Sequence, residues 1–507
     1  MSTSSVKIRM YRQGLGDCFL LTFTRADGSN YYVMIDCGVV MGGDPAQVAA
    51  AATDILGATN KHLDLLIGTH IHWDHISGFC QARSIFDQFT VDNIWLPWTE
   101  NKANTAALQL TADRTAKVNA LRLALTQMGS AGMTDTRDEI QSVLDFMGPD
   151  SGPAGAGSGL AAAAGGGACG SDDAMDYLRT RQGANVHYCT PSSDPVHSLD
   201  GVPDVRVYVF GPPTDQKFLA KFDPSKSNPE TYDPPGAAAA ESSASAAAAM
   251  DSFLAAVSEA DSSRYGQLKE QTHPFDKYYR IAPDEAKQNE FFCEYYGFPA
   301  DGKTEAGDVE KWRRIDGDWL NISSELALNL DNVVNNTSLV LAFDLGEPGR
   351  GQVLLFAADA QVGNWLSWTS TNLAWTFPAA AGAAAAGTAV TVTPEDLLHR
   401  VVFYKVGHHG SHNATLANKG LDLMTDERMV AFIPVNHAQA VVKRWPGMPF
   451  QPMLDVLTSH TKGRVVCIDD APPPRQKSSP NISDADWQAF LGSLVEKDNY
   501  YEFSITW

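Results

Sequence analysis

No stretch of this 507-residue chain is apolar for long enough to span a bilayer as a helix, which takes about 20 residues, so no membrane span is expected. Basic charge is also scarce. Lys and Arg number 38 against 60 Asp and Glu, a formal net charge of -22. That excludes a protein whose main grip on nucleic acid is a broad basic surface, because phosphates are neutralised by Lys and Arg. A single nucleic-acid cleft with bound divalent cations stays open, since such ions reverse the local charge. The plainest reading of the charge is solubility. There is no CxxC pair: the seven cysteines (18, 37, 80, 169, 189, 293 and 467) are odd in number and scattered, which fits a reducing compartment rather than a disulfide framework. Signal-peptide grammar is missing too. Met1 to Ser5 is polar, and Phe19-Leu20-Leu21 is broken by Thr22 and Thr24, so a cytoplasmic location is the expectation. What is present, 44% hydrophobic against 19% charged residues, supplies a large core and argues against wholesale disorder.

The length allows roughly three domains, or one elaborated α/β domain. Residues 1–100 alternate strand-like runs with turn signals: Val6 to Tyr11, Cys18 to Phe23, Tyr31 to Asp36, and the nearly continuous apolar run Leu63 to Thr69, with a helix over 44–57. The 101–330 segment changes character. It has helical patterns at 105–128 and 137–147, a strand at 205–210, and low-complexity Gly/Ala/Ser/Pro tracts at 152–170 and 234–249 that read as surface loops. Strand grammar returns in 331–507 at 338–343, 352–356, 401–406, 429–433 and 464–468, with a third Ala/Gly tract at 379–387.

The densest chemical signal is Thr69-His70-Ile71-His72-Trp73-Asp74-His75, directly after a buried strand. Imidazole suits Zn²⁺ and other borderline metals, and a carboxylate suits a second, harder site. His70 and His72, at i and i+2, can point the same way from an extended loop. Asp74 and His75 then fall on the first turn of a helix, aimed at a neighbouring position.

This block resembles the HxHxDH signature of the metallo-β-lactamase superfamily, and other stretches follow in the family's order. The resemblance implies that Asp36, in Met34-Ile35-Asp36-Cys37-Gly38, orients the histidine loop from behind. It makes Asp359, ending Leu354-Leu355-Phe356-Ala357-Ala358-Asp359, the aspartate between two metals. In Val406-Gly407-His408-His409-Gly410-Ser411-His412 it makes His408 the ligand of the second site, with His409 a further ligand or a substrate contact. Gly14-Leu15-Gly16-Asp17, Asn335-Asn336-Thr337-Ser338 and Lys405 to Ser411 are closest to the soluble domains of bacterial DNA-uptake competence proteins. The resemblance covers roughly 6–100, 203–213 and 335–470, and leaves most of the intervening segment unexplained. Two departures matter, one being that the His-Pro pair found late in that competence branch has as its nearest equivalent Met448-Pro449, with His437 eleven residues earlier. The third histidine that many members place on the first metal is missing; His187, His197 and His273 lie in the interval without the expected strand context, and Asn335-Asn336 stands in its place.

The implied fold is a four-layer αβ/βα sandwich with a large, partly helical insertion. The implied cofactor is zinc as two ions, with Mn²⁺ or a single metal as alternatives. His70 and His72 would hold the first ion, Asp74, His75 and His408 the second, with Asp359 shared and Asp74, His75 and His409 closest to the reacting water. The implied function is a metal-dependent hydrolase acting on phosphodiesters, nucleic acid included, with Lys405, Lys443 and Arg444 as a modest basic contribution. The alternatives are a lactonase, esterase or thioesterase for a small substrate, with aromatics such as Phe291, Tyr295 and Trp312 in a lid, and a non-catalytic interaction module. No membrane partner is expected, and no protein partner is indicated.

Overall fold

The computed structural model describes residues 4–131, 134–149, 169–221, 224–225, 230–232, 281, 285, 288–296, 318–370, 373–377, 389–469, 477 and 479–507. The chain divides into two compact units: Met1–Thr111, Asp145–Ala240 and Asp331–Trp507 in one, Ala112–Leu144 and Glu241–Leu330 in the other. The described residues between 145 and 240 fall in the first of these units. The proposed lid residue Trp312, His273 and most of the three low-complexity tracts lie outside the described residues.

The first unit carries two large mixed sheets. The first runs through β1 (Ser5–Tyr11), β2 (Cys18–Thr24), β3 (Asn30–Cys37), β4 (His62–Ile67), β5 (Thr90–Pro97) and β6 (Asn185–Cys189). The second is built from β7 (Val196–Ser198), β8 (Val205–Gly211), β9 (Val340–Leu345), β10 (Gln352–Phe356), β13 (Val401–Lys405), β14 (Val430–Ile433) and β15 (Val465–Cys467). Between β10 and β13 a separate hairpin pairs β11 (Trp375–Phe377) with β12 (Val390–Val392). The C-terminal strands β16 (Leu494–Glu496) and β17 (Tyr500–Thr506) return to the first sheet, whose order is β16-β17-β1-β2-β3-β4-β5-β6. The second sheet has the order β15-β14-β13-β10-β9-β8-β7. In the first sheet β1 to β3 pair antiparallel and β3 to β6 parallel; in the second, β8 to β10 pair antiparallel and β10, β13, β14 and β15 parallel.

Strand periodicity explains how the sheets meet. Alternate residues of β1 (Val6, Ile8, Met10) and of β9 (Leu341, Phe343, Leu345) enter one shared core, where Phe19 meets Phe356 and Phe23 stacks on Phe343. The other face of the second sheet (Val340, Ala342, Val353, Leu355) packs against Trp365 and Trp368 of the helix Val362–Ser370. Both faces of this sheet are therefore buried, which is why its strands read as continuous apolar runs. Among the described residues no helix is long and apolar enough to cross a membrane. The expectation of reduced cysteines holds for Cys18, Cys37, Cys189, Cys293 and Cys467 but not for Cys80 and Cys169, which form a disulfide across 89 residues of sequence. Scattered spacing cannot reveal such a distant pair.

Candidate metal centre

Four parallel strands deliver the chemistry from their C-terminal ends, where open α/β sheets place their ligand sites. Asp36 closes β3, Thr69 to His75 follow β4, Asp359 follows β10, and His408 and His409 follow β13. Trp73–Ile76 is a helical turn with His72 at its N-cap, so Asp74 and His75 do lie on a first turn. That turn is gripped by glycines. A Cβ at Gly16 or at Gly38 would come within 2.4 Å of the Asp74 carbonyl oxygen, which accepts from Asp17 N–H at 3.0 Å. Only glycine permits this approach, which accounts for both the Gly-x-Gly-Asp turn and Gly38. Asp36, Ala358, His408 and His409 all hold positive φ (55°, 47°, 41° and 51°). Strained backbone concentrated around one set of side chains marks a site whose geometry outweighs local preference.

His70, His72, Asp74, His75, Asp359 and His409 are all fully buried. Asp36 accepts from Thr69 N–H at 2.8 Å and from the Thr69 hydroxyl at 2.6 Å, and its Oδ2 lies 2.7 Å from His75 Nδ1. His75 Nε2 then faces Asp359 Oδ2 at 3.1 Å, an ion-pair distance without hydrogen-bond alignment. His409 donates through Nδ1 to Pro434 O at 2.8 Å and turns Nε2 to Asp74 Oδ2 at 2.9 Å.

The ligand-type atoms fall into two groups that share Asp359: His70, His72 and Asp359, and Asp17, His75, Asp359 and His409. The geometry thus favours His409 over His408 in the second group. His408 Nε2 stands 3.9 Å from Asp359 Oδ2, while its Nδ1 faces Ser411 Oγ at 2.9 Å. His412 is exposed. His187 and His197 belong to a separate cluster.

Two residues here, Asp17 and Asp331, carried no site role in the sequence reading, and a third, Lys405, was read only as a basic contribution. Asp17 joins the second group through the Gly-x-Gly-Asp turn. Lys405 is not a surface cation: it is 1% exposed, with Nζ 2.6 Å from Asp17 Oδ2 and 3.3 Å from Asp359 Oδ1. Lys443 is paired with Asp145, so neither lysine forms a basic approach for phosphate. Asp331, on the helix Asp318–Asn336, places Oδ1 3.6 Å from His72 Nε2 and accepts from Asn335 Nδ2 at 3.0 Å. It lies one helical turn before Asn335, and nothing in the sequence marks it as a site residue. Asn336 and Ser338 support the loop after β10, accepting from Gln361 N–H and Asp359 N–H.

Electrostatics divide the imidazoles. Burial pushes His70 well below the usual range, His72 to about 3 and His408 to about 4, so all three are neutral and able to ligate. Burial also opposes charge on His75 and His409, but Asp359 and the neighbouring aspartates outweigh it and raise both. Asp331 is raised by burial and by Asp74 and Asp359. Phe146 stacks on Trp445 at 4.5 Å and on His72 at 5.5 Å, giving the histidines an aromatic neighbour. In the helix Glu290–Tyr296, Phe291 and Tyr295 are about half exposed and their rings meet each other. No protein-family model matches this chain, and a search of curated proteins finds no significant match.

Proposed function

We propose that this chain is a metal-dependent hydrolase of the metallo-β-lactamase fold, with helices outside its two sheets as a four-layer αβ/βα sandwich. The observation that carries the reading is a set of buried polar atoms that make no hydrogen bond: His70 Nε2, His72 Nδ1 and Nε2, Asp17 Oδ1, Asp74 Oδ1, His75 Nε2, Asp331 Oδ1 and Asp359 Oδ2. Buried polar groups are almost always satisfied, so a cluster of bare imidazole and carboxylate atoms fits cations. His70, His72 and Asp331 would hold one ion, Asp74, His75 and His409 the other, with Asp359 between them. Asp331 takes the place of the missing third histidine. Two ions of the zinc or manganese type would supply Lewis-acid activation of a water and of the scissile group. The chain's own part is orientation: Asp36 fixes the His75 ring, Pro434 O fixes that of His409, and Lys405 ties Asp17 to Asp359.

The first substrate class is the phosphodiester, nucleic acid included. Once His75 and His409 have given up their protons, the centre sets five aspartates (17, 36, 74, 331 and 359) against one lysine, and divalent cations would offset that negative charge for a phosphate. A small ester, thioester or lactone is the second reading, favoured by the Phe146–Trp445 stack beside His72. We place the protein in the cytoplasm on its five cysteines that lie outside a disulfide; the Cys80–Cys169 disulfide is the feature that argues the other way.

Elemental analysis on a preparation assayed against bis-p-nitrophenyl phosphate and a nitrophenyl ester tests these readings together. Bound metal with phosphodiester cleavage supports the first. Ester cleavage alone selects the second, and neither metal nor turnover after reconstitution leaves only an interaction module.

Metal loading should also release protons. His75 and His409 are raised above the ordinary histidine value of about 6.5, so the metal-free fold keeps both protonated to higher pH than a free imidazole, and each must lose its proton to ligate. The stability these protonated rings give the metal-free fold is full below that ordinary value and is lost as pH rises through their raised values. Affinity for Zn²⁺ should therefore tighten as pH rises, and the titration heat should vary with the ionisation heat of the buffer. A buffer-independent heat would contradict the ligand roles of these two rings.

A further inference from the structure

A second cluster of ligand-type side chains lies where the chain leaves the first sheet for the second. β6 is the edge of the eight-stranded sheet and β7 the edge of the seven-stranded one, and only 190–195 separate them. His187 and Cys189 are two apart on β6, so both project from one face. His197 comes from β7. The Nε2 or Nδ1 atoms of the two histidines and Cys189 Sγ all lie within 4.8 Å of one another. The two imidazole rings meet edge to face at 4.9 Å, and His197 leans on Trp95 at 4.7 Å.

Two further observations point to an ion. His187 Nε2 and His197 Nε2 are both buried at the atom level and make no hydrogen bond, although a histidine packed for structure alone normally finds a partner for each ring nitrogen. The turn between the strands also brings a carboxylate to the same place. A bridge between Thr190 and Asp194 closes it, and Asp194 Oδ2 stands 3.5 Å from His187 Nε2 and 4.0 Å from His197 Nδ1. Cys189 is fully buried and free, so its thiol is shielded from oxidants and from other thiols. None of these residues takes part in the His70 centre.

We propose that His187, Cys189 and His197, with Asp194 as the fourth ligand, form a separate structural zinc site that pins the crossing between the two sheets. One thiolate, two imidazoles and one carboxylate are a tetrahedral donor set that suits Zn²⁺, and thiolate with imidazole discriminates against Mg²⁺, Ca²⁺ and Mn²⁺. Four protein ligands leave no open position for a reacting water, so the site has a structural role. Binding costs the Cys189 thiol its proton, which passes to solvent as the thiolate–metal bond forms.

The thiolate makes this site separable from the hydrolytic one, whose proposed ligands include no cysteine. The full chain, stripped of metal and titrated with Co²⁺ alone, should develop a near-ultraviolet sulfur-to-cobalt charge-transfer band. Cys189→Ser should abolish the band and lower zinc content by one equivalent, and Asp74→Ala should leave the band intact. His187→Gln, at a side chain 38% exposed and therefore tolerant of replacement, guards against a Cys189→Ser chain that fails to fold. It should weaken Co²⁺ binding at the thiolate at least tenfold, read from the same band. A wild-type chain without the band, a band that survives Cys189→Ser, or one indifferent to His187→Gln overturns the site, and none of these results bears on hydrolysis.

Discussion

Asp74→Ala should lower hydrolysis by at least about a thousandfold while leaving the fold in place. The side chain is fully buried, with one oxygen 2.9 Å from His409 Nε2 and the other without a hydrogen bond. Burial works against its charge, yet His75 and His409 outweigh that and hold the carboxylate below its usual value, so it is an anion available to a cation. Alanine removes that anion and nothing that shapes the turn. The Asp74 carbonyl still accepts from Asp17 N–H, and His409 keeps its bond to Pro434 O. The variant should therefore keep its circular dichroism and lose the ion proposed for Asp74, His75 and His409. The comparison is made with whichever of the two nitrophenyl substrates the wild type cleaves. Undiminished turnover by a folded, metal-depleted variant would falsify the metal mechanism.

The ends of the strands were readable from sequence because their chemistry follows apolar runs that both faces bury. Leu63 to Ile67, Leu354 to Phe356 and Val401 to Tyr404 each announce a central strand, and each is followed within a few residues by ligand-type side chains. The choice between His408 and His409 was not readable. Both hold positive φ, and this turn of the backbone after β13 decides which ring faces Asp74, with no trace in residue order. Asp331 was hidden for another reason. An aspartate beside asparagines looks like a residue that faces water, and only the packing that buries it against His72 gives it a role. Lys405 misled because a lysine in a motif-rich block is normally exposed. Its burial follows from Asp17, a partner 388 residues earlier in the chain. Tyr500–Thr506 escaped although its pattern is period two, with Tyr501, Phe503 and Ile505 buried against β1. Distant register of this kind is set by the closing of the sheet and not by local sequence.

Lys405→Met should destabilise the metal-free protein by about 3–5 kcal/mol, the cost of leaving buried charges without their partner. The ammonium is 1% exposed and lies among Asp17 Oδ2, Asp359 Oδ1 and the Ala358 carbonyl, 2.8 Å away. Burial opposes its charge, but Asp17 and Asp359 outweigh burial and raise its pKa, so the native chain carries a true cation there. Methionine keeps the length and apolar stem and removes only that charge, leaving Asp17 and Asp359 close together with His75 and His409 as their remaining positive neighbours. Two consequences distinguish this account from simple loss of packing. Asp359 loses the ammonium that helps hold its carboxylate well below the usual range, so the penalty should shrink as pH falls and Asp359 takes up a proton. Divalent cations bound beside Asp359 would supply the missing positive charge, so the gap between variant and wild type should also narrow on Zn²⁺ loading. Chemical unfolding of both proteins, metal-free and loaded, at mildly acid and mildly alkaline pH measures all three effects. A penalty that ignores both pH and metal would mean that Lys405 supports the loop by its shape alone, and that the carboxylates it touches are not the charged core of a cation site.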